Sequence, residues 1–374
     1  MANQWILIGQ EGFETSLEYQ QDIKIPSPHD LRPNEVLVKL YAASLNYRDL
    51  LMADPTVCPQ TKLPNTRNVV AHHSQKFNGA ITPPLVPGCD GSGIVEAVGA
   101  SVQDFCPGDR VVTHVAPALA ESRGDEAPVS IEDTRASLGQ EIDGTLRSHG
   151  VFSEKALVHA PKSLDWIPAA TLTCNWTTVW NGLFGLKGRE VGPGSWVLVQ
   201  GTGGVSIAAI QLSVAAGATV VATTSTEEKA DRLKALGATH VVNYRTNPED
   251  WGQEVRGFTP DERGFDFIID IGGNQTLPQS LAAVRVDGIV VLVGMVGEDA
   301  EPVPMFQAFM HSCIVRGILA GSRSQLREVV RFIDEKGVVP AVDDVVFGLE
   351  EVKSAYRRLR ERKHFSKVVI RIQE

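Results

Sequence analysis

The sequence predicts an α/β protein: a β-rich first part followed by a parallel sheet buried on both faces. Three observations predict it. From Ser195 onward, short apolar runs alternate with helical patterns in a series of six. The first of these runs, Ser195-Trp-Val-Leu-Val-Gln-Gly201-Thr-Gly203-Gly204-Val-Ser206, breaks into a glycine-rich turn that opens a small-residue helix pattern. Before Ser195, apolar runs are punctuated by Pro and Gly, as short strands are.

Taken in order, Val36-Leu-Val-Lys-Leu-Tyr, Gly93-Ile-Val-Glu-Ala-Val and Arg110-Val-Val-Thr-His-Val read as strands, with Cys106-Pro-Gly-Asp-Arg110 as a turn between two of them. Two polar loops interrupt this part, at roughly 55–84 and 117–150. After Ser195 come the strand Trp196–Val199, the helix pattern from Ile207, the strand Thr219-Val-Val-Ala-Thr, a helix over Glu227–Leu236 ending at Gly237, and the strand His240-Val-Val-Asn. Phe265-Asp-Phe-Ile-Ile-Asp270, Gly288-Ile-Val-Val-Leu-Val-Gly294 and Ile314-Val-Arg-Gly-Ile318 complete the six strands. Apolar strands joined by crossover helices form a parallel sheet covered on both faces. Two amphipathic helices follow, with Leu326, Val329, Val330 and Ile333, then Val352, Ala355, Tyr356 and Leu359, at helical spacing. Lys367-Val-Val-Ile-Arg-Ile closes the chain as a strand.

A strand, a tight glycine turn and a helix N-terminus aim backbone N–H groups at one point, where a pyrophosphate is held. Gly201, Thr202, Gly203, Gly204 and Val205 form that turn, and Ser206 stands where the fingerprint has its last glycine, which predicts slightly looser helix–strand packing. The end of the second strand, Ala222-Thr223-Thr224-Ser225-Thr226, meets the adenosine ribose in such folds, and it carries no carboxylate. Thr224, Ser225 and Lys229 offer hydrogen-bond donors to a 2′-phosphate, which favours NADP over NAD. Tyr244, with Arg245, lies just past the third strand and is read either as flanking the same phosphate or as an ordinary surface turn.

The 374 residues suffice for two domains and a sizeable core. A net charge of −10 argues against nucleic-acid and anionic-membrane partners. No apolar stretch reaches membrane-spanning length, and no secretory signal is visible at Met1-Ala-Asn-Gln. Five scattered cysteines without a C-x-x-C fit a reducing, cytoplasmic setting. His72 and His73 read as part of a solvated loop.

Six motifs in one order resemble the medium-chain dehydrogenase/reductases, among them the zinc-free quinone-oxidoreductase-like and the alcohol-dehydrogenase-like members. They are Ser44-Leu-Asn46-Tyr-Arg-Asp49, Pro87-Gly-Cys-Asp90-Gly-Ser-Gly93, Pro107-Gly-Asp-Arg110-Val, Ala169-Ala-Thr-Leu-Thr-Cys174, Gln200-Gly-Thr-Gly-Gly204-Val and His364-Phe-Ser-Lys367-Val-Val-Ile. The resemblance implies a GroES-like β-rich catalytic domain from residues 1–168 and 323–374, with a Rossmann NADP-binding domain of six parallel strands inserted as 169–322. It places Asn46 and Tyr47 near the nicotinamide, Thr178 against the cofactor, Gly294, Met295 and Val296 at its carboxamide, and Lys367 near it in some relatives. It also implies a homodimer, paired by strand edges near Ile289–Val293 or Ile314–Ile318.

Zinc members of the family hold their catalytic metal at three points, which are Asn46, Cys89 and Cys174 here. Catalytic zinc requires three good ligands, and an Asn is a poor one, so the site is read as metal-free. Cys89, Asp90 and Cys174 remain an unusual alternative set. The structural zinc lobe of closely spaced cysteines is absent from the sequence. The expected function is therefore NADPH-dependent, zinc-independent hydride transfer to an enone or quinone, a small-molecule substrate, with Asn46 and Tyr47 as donors to its oxygen. An NADP-dependent alcohol or carbonyl oxidoreductase with residual zinc, and a non-catalytic NADPH-binding protein, are the alternatives.

Overall fold

The computed structural model describes residues 1–57, 81–294, 297 and 300–374, so most of the first polar loop, His72, His73, Met295 and Val296 lie outside the described residues. The described residues fall into two compact units, one built from 1–57, 81–177 and 320–374, the other from 178–319.

The first unit is predominantly β. Strand β1 (Ala2–Leu7) pairs antiparallel with β2 (Leu17–Ile23). The centre of the larger sheet is β3 (Glu35–Ser44), which pairs antiparallel with β4 (Asp90–Val98) and with β6 (His149–Ser153). β5 (Arg110–Thr113) and β7 (Leu157–His159) extend the sheet beyond β4. Along β3, Val38, Leu40 and Ala42 are buried while Lys39 and Tyr41 are half-exposed, the period-2 alternation of a strand with one face on a core. That core gathers Val36, Val38, Leu40, Val95, Val111, Phe152 and Leu157. Full burial of such side chains stabilises by about 1.5–3 kcal/mol each.

The stretch 117–150, predicted as a polar loop, contains a helix, Pro117–Arg123, with proline in its first turn, where a missing N–H costs nothing. Leu119 and Leu138 from this stretch join the same core, which is why it is ordered against the sheet.

The second unit is the parallel sheet. Its strands are β8 (Trp196–Gln200), β9 (Thr219–Thr224), β10 (His240–Asn243), β11 (Phe265–Asp270), β12 (Val284–Leu292) and β13 (Ile314–Gly317), in the order β10-β9-β8-β11-β12-β13. Every pairing in it is parallel. The strand order reverses between β8 and β11, the switch point at which open α/β sheets bind their ligands.

The chain then returns to the first unit through a helix, Arg323–Lys336. Ser322 Oγ accepts from the Gln325 N–H at 3.2 Å and Gln325 Oε1 from the Ser322 N–H at 2.9 Å, and Gly337 ends the helix at φ 65. β14 (Val346–Gly348), the helix Val352–Arg360 and β15 (Val369–Arg371) follow, with β15 antiparallel to β3. The closing strand is shorter than predicted: Lys367 and Val368 precede it.

One buried cation ties this return to the unit. The Arg323 side chain is fully buried and donates to Asp125 Oδ2 at 2.8 Å, Leu157 O at 2.9 Å and Asp104 Oδ2 at 3.3 Å. His114 is buried nearby, and its Nδ1 has no hydrogen-bond partner. Burial first, and the Arg323 charge second, push its pKa from 6.5 down to about 3. The unfolded chain therefore takes up the His114 proton below pH 6.5 while the folded chain does not, so this contribution to stability is complete above 6.5 and is lost as the pH falls. Urea unfolding is expected to show a loss of about 2 kcal/mol between pH 6.5 and about 5 from this group. His114→Gln is expected to flatten that part of the slope.

Candidate active site

The first unit brings together five side chains, Asn46, Cys89, Asp90, Cys174 and Lys367, from four separate segments of the chain. Asn46 is the N-cap of the helix Tyr47–Ala53, with extended backbone, and its N–H donates to Asp49 Oδ2 at 2.7 Å. Burial raises the Asp49 pKa from 3.8 to about 6. The Asn46 amide also reaches inward. Its Oδ1 accepts from Lys367 Nζ at 2.5 Å, and its Nδ2 faces Cys89 Sγ at 3.5 Å. The next turn of this helix is pinned by Arg48, which donates to Ser137 Oγ at 2.7 Å and to Leu138 O and Gln140 Oε1 at 3.1 Å each.

Asp90 is the hub. It opens β4 and is completely buried. Its Oδ2 accepts from Lys367 Nζ at 2.8 Å and Ser44 Oγ at 3.0 Å, and its Oδ1 from the Cys174 N–H at 3.1 Å and Cys89 Sγ at 3.3 Å. Cys174 is delivered by a single π-helical turn, Leu172–Trp176, of the kind that recurs at functional sites. Thr113 Oγ1 donates to Cys89 O at 2.6 Å and Thr145 Oγ1 to Asp90 O at 2.9 Å, which fixes the Cys89–Asp90 backbone. Gly88, at φ +89, leaves only 2.8 Å between a Cβ position and Thr145 Oγ1, so no side chain fits there.

A metal was one reading of this set. One donor atom each from Cys89, Asp90 and Cys174 lie within 4.8 Å of one another. As a zinc site it is poor. The Asp90 oxygens are taken by an ammonium, a hydroxyl, a thiol and an N–H, and the Asn46 oxygen is taken by the same ammonium. The hydrogen bond with Cys174 and then burial raise the Cys89 pKa well above its usual range.

The second unit carries the nucleotide features. Gly201 ends β8 at φ +78, and a Cβ there would lie 3.3 Å from Ile271 Cδ1. Gly203 has open space around it and is the N-cap of the helix Gly204–Ala215. The first N–H groups of such a helix lack intrahelical acceptors, so the turn of Gly201, Thr202, Gly203, Gly204 and Val205 fits a pyrophosphate. Ser206 is buried and donates to Gln200 O at 2.6 Å, so it ties the helix to the strand end and the packing is not loosened. Asp270, at the end of β11, is buried and accepts from Gly272 N, Gly273 N, Thr276 Oγ1, Ser280 Oγ and Gln200 Nε2, which fixes the turn facing the glycine loop across the switch point.

At the end of β9, Thr224 is buried and Ser225 half-buried. Lys229 is half-buried in the helix Glu227–Ala235, and the neighbouring acid, Glu227, accepts from Asn243 Nδ2 at 3.0 Å. Tyr244 is half-buried against the sheet core, its N–H on Thr224 O at 3.1 Å. Gly294 is exposed just past β12, and Thr178 is buried in the first turn of the helix Thr177–Phe184.

Residues 32–168 match the alcohol dehydrogenase GroES-like domain, and 204–335 match the zinc-binding dehydrogenase family. A zinc-type alcohol dehydrogenase-like protein of Schizosaccharomyces pombe is 39% identical over 349 residues, 92% of this chain and 93% of that one. The chain belongs to the medium-chain dehydrogenase/reductase family. Among solved members, an NAD-dependent alcohol dehydrogenase superposes with a TM-score of 0.81 at 32% identity, over 99% of both chains. A quinone oxidoreductase of Pseudomonas syringae pv. Tomato superposes at 0.72 with 25% identity, over the whole of both. The chain is thus an oxidoreductase of the medium-chain dehydrogenase/reductase type.

The structure brings Asn46 against Cys89, and Cys89 into one cluster with Asp90 and Cys174. The Asn46–Lys367 bond and the Asp90 hub are what the motifs did not reveal. One reading of Lys367 was a solvated lysine, and it is instead only 2% exposed. The available signal was its place in the apolar run Phe365-Ser-Lys367-Val-Val-Ile. Tyr47, read as a donor beside Asn46, has its hydroxyl 3.4 Å from Val57 O. Because Lys367 is buried on Asp90, removing the carboxylate strands a charge. Asp90→Ala is expected to cost roughly 3–5 kcal/mol of unfolding free energy, read by urea denaturation.

Proposed function

We propose that the protein is an NADPH-dependent, zinc-independent reductase of activated double bonds, enones or quinones. The observation that carries this reading is the buried Lys367–Asn46–Asp90 arrangement at the points where zinc members hold their metal. The parallel-sheet unit is assigned the dinucleotide, through the glycine turn, Thr178, Thr224, Ser225, Lys229, Tyr244 and Gly294. The β-rich unit, with residues 320–374, is assigned the substrate. NADPH, when bound, supplies the hydride.

The remaining work falls to the side chains of the site. As hydride reaches the β-carbon of a conjugated substrate, negative charge builds on its oxygen, and preorganised donors stabilise that charge. The Asn46 amide offers its NH2 group, since its oxygen is held by Lys367. Tyr47, next along the helix, is assigned as the second donor and a candidate for returning the proton. Without a metal-bound alkoxide, an alcohol has no evident way to lose its proton here, which supports reduction of activated double bonds. The preference for NADPH is supported by the lack of a carboxylate at the end of β9, by Lys229, and by the engagement of Glu227 with Asn243. The names of the similar alcohol dehydrogenases favour a second reading, oxidation or reduction at an alcohol or carbonyl carbon.

A homodimer is part of the proposal. Among the described residues β13 is an end strand of its sheet, and Met305, Phe306, Phe309 and Met310 before it are 75%, 64%, 71% and 62% exposed. Exposed apolar clusters of this kind next to an end strand mark association surfaces. Light scattering is expected to give twice the chain mass for the wild type and the monomer mass for Phe309→Glu. The catalytic reading is tested by following NADPH oxidation over a panel of quinones, enones, ketones and aldehydes, with NADH alongside. Turnover with enones or quinones, faster with NADPH and lowered about 100-fold in kcat by Asn46→Ala, is expected. Equal rates with NADH would overturn the coenzyme assignment, and turnover of carbonyls alone would favour the second reading.

A further inference from the structure

The chemistry above uses the Asn46 amide and leaves the ammonium beside it without a task. That ammonium is unusual. It belongs to a lysine 2% exposed, it reaches the oxygen of the residue at the first metal point, and it reaches the carboxylate that follows the second. A fixed positive charge therefore already stands among Asn46, Cys89, Asp90 and Cys174. Like charges a few ångströms apart in a low-dielectric interior repel strongly, and a divalent ion among these residues would meet that charge. An ammonium donates and never accepts, so it also decides which way the Asn46 amide points: oxygen toward Lys367, NH2 away.

We propose that Lys367 is a built-in cation that replaces the metal of this site: it neutralises Asp90, holds the Asn46 amide with its NH2 group as the donating end, turned toward Cys89, and excludes divalent ions from Cys89, Asp90 and Cys174. Lys367 is thus a positioning residue for Asn46, and its charge opposes a divalent ion among two cysteines and a carboxylate that lie within metal-binding reach of one another. The proposal rests on the zinc-independent reading of the site.

Cobalt(II) is the probe, since thiolate ligation gives it a charge-transfer absorption that is read without any turnover. Metal-free wild type is expected to show no stoichiometric thiolate–cobalt band. Lys367→Met is expected to bind one equivalent, roughly tenfold or more tighter than the wild type, with the band lost on adding Cys174→Ser. Lys367→Arg keeps the charge and is expected to behave as the wild type. Should Lys367→Met fail to fold by circular dichroism, Lys367→Gln serves the same arm, because it removes the charge and still offers a donor to Asp90. A folded neutral variant with no gain in cobalt binding would overturn the proposal and leave the zinc-independent reading standing. One equivalent of Cys174-dependent cobalt in the wild type would overturn both.

Discussion

A buried ammonium against a buried carboxylate is costly to assemble, because each ion gives up its hydration at several kcal/mol. The Lys367–Asp90 pair is held only because every remaining lone pair of Asp90 is occupied. Ser44, the Cys89 thiol and the Cys174 N–H complete the set, and Asn46 takes the second bond of the ammonium. These partners come from β3, the loop before β4, the π turn at Cys174 and the segment before β15. The pairing of β15 on β3 delivers Lys367 to this place, and the helix cap at Asn46 aims the amide at it. The site depends on the β-rich unit being folded as a whole, since the pair loses its compensation if any of these segments is displaced.

The parallel-sheet unit solves a different problem with neutral groups. Asp270 is as buried as Asp90, yet its hydrogen-bond donors among the described residues are neutral. It is met by two backbone N–H groups, two hydroxyls and an amide. Burial raises its pKa, and the hydrogen bonds oppose the rise. The result is a rigid strand end beside the glycine turn. Ser206 works in the same manner on the other side, spending its hydroxyl on the Gln200 carbonyl. A serine at the last glycine position therefore tightens the join that a glycine would make by close approach alone.

Much of the fold was legible because it follows from periodicity. The six apolar runs after Ser195 became β8 to β13, and the amphipathic spacing at Leu326–Ile333 and Val352–Leu359 became helices with the expected buried stripe. Local chemistry set their ends: Gly237 at φ +101 stops one helix, and the Ser322–Gln325 box starts another. The stretch 117–150 was less legible. Its polar composition hid Leu119 and Leu138, whose burial depends on a sheet formed by distant residues. The candidate site was legible as a set of residue types at family positions, with Asn46 in place of a metal ligand.

The sequence by itself determined the fold class, the family, the glycine turn for a dinucleotide, and the identity of the residues at the three metal points. These are matters of residue type and spacing. What only the tertiary structure decided is the electrical state of the site: which charge lies against which carboxylate, and which way the Asn46 amide faces. Lys367 is 277 residues from Asp90 and 321 from Asn46 along the chain. No periodicity spans that separation. Burial and hydrogen bonding set the outcome, and both exist only once the strands have paired.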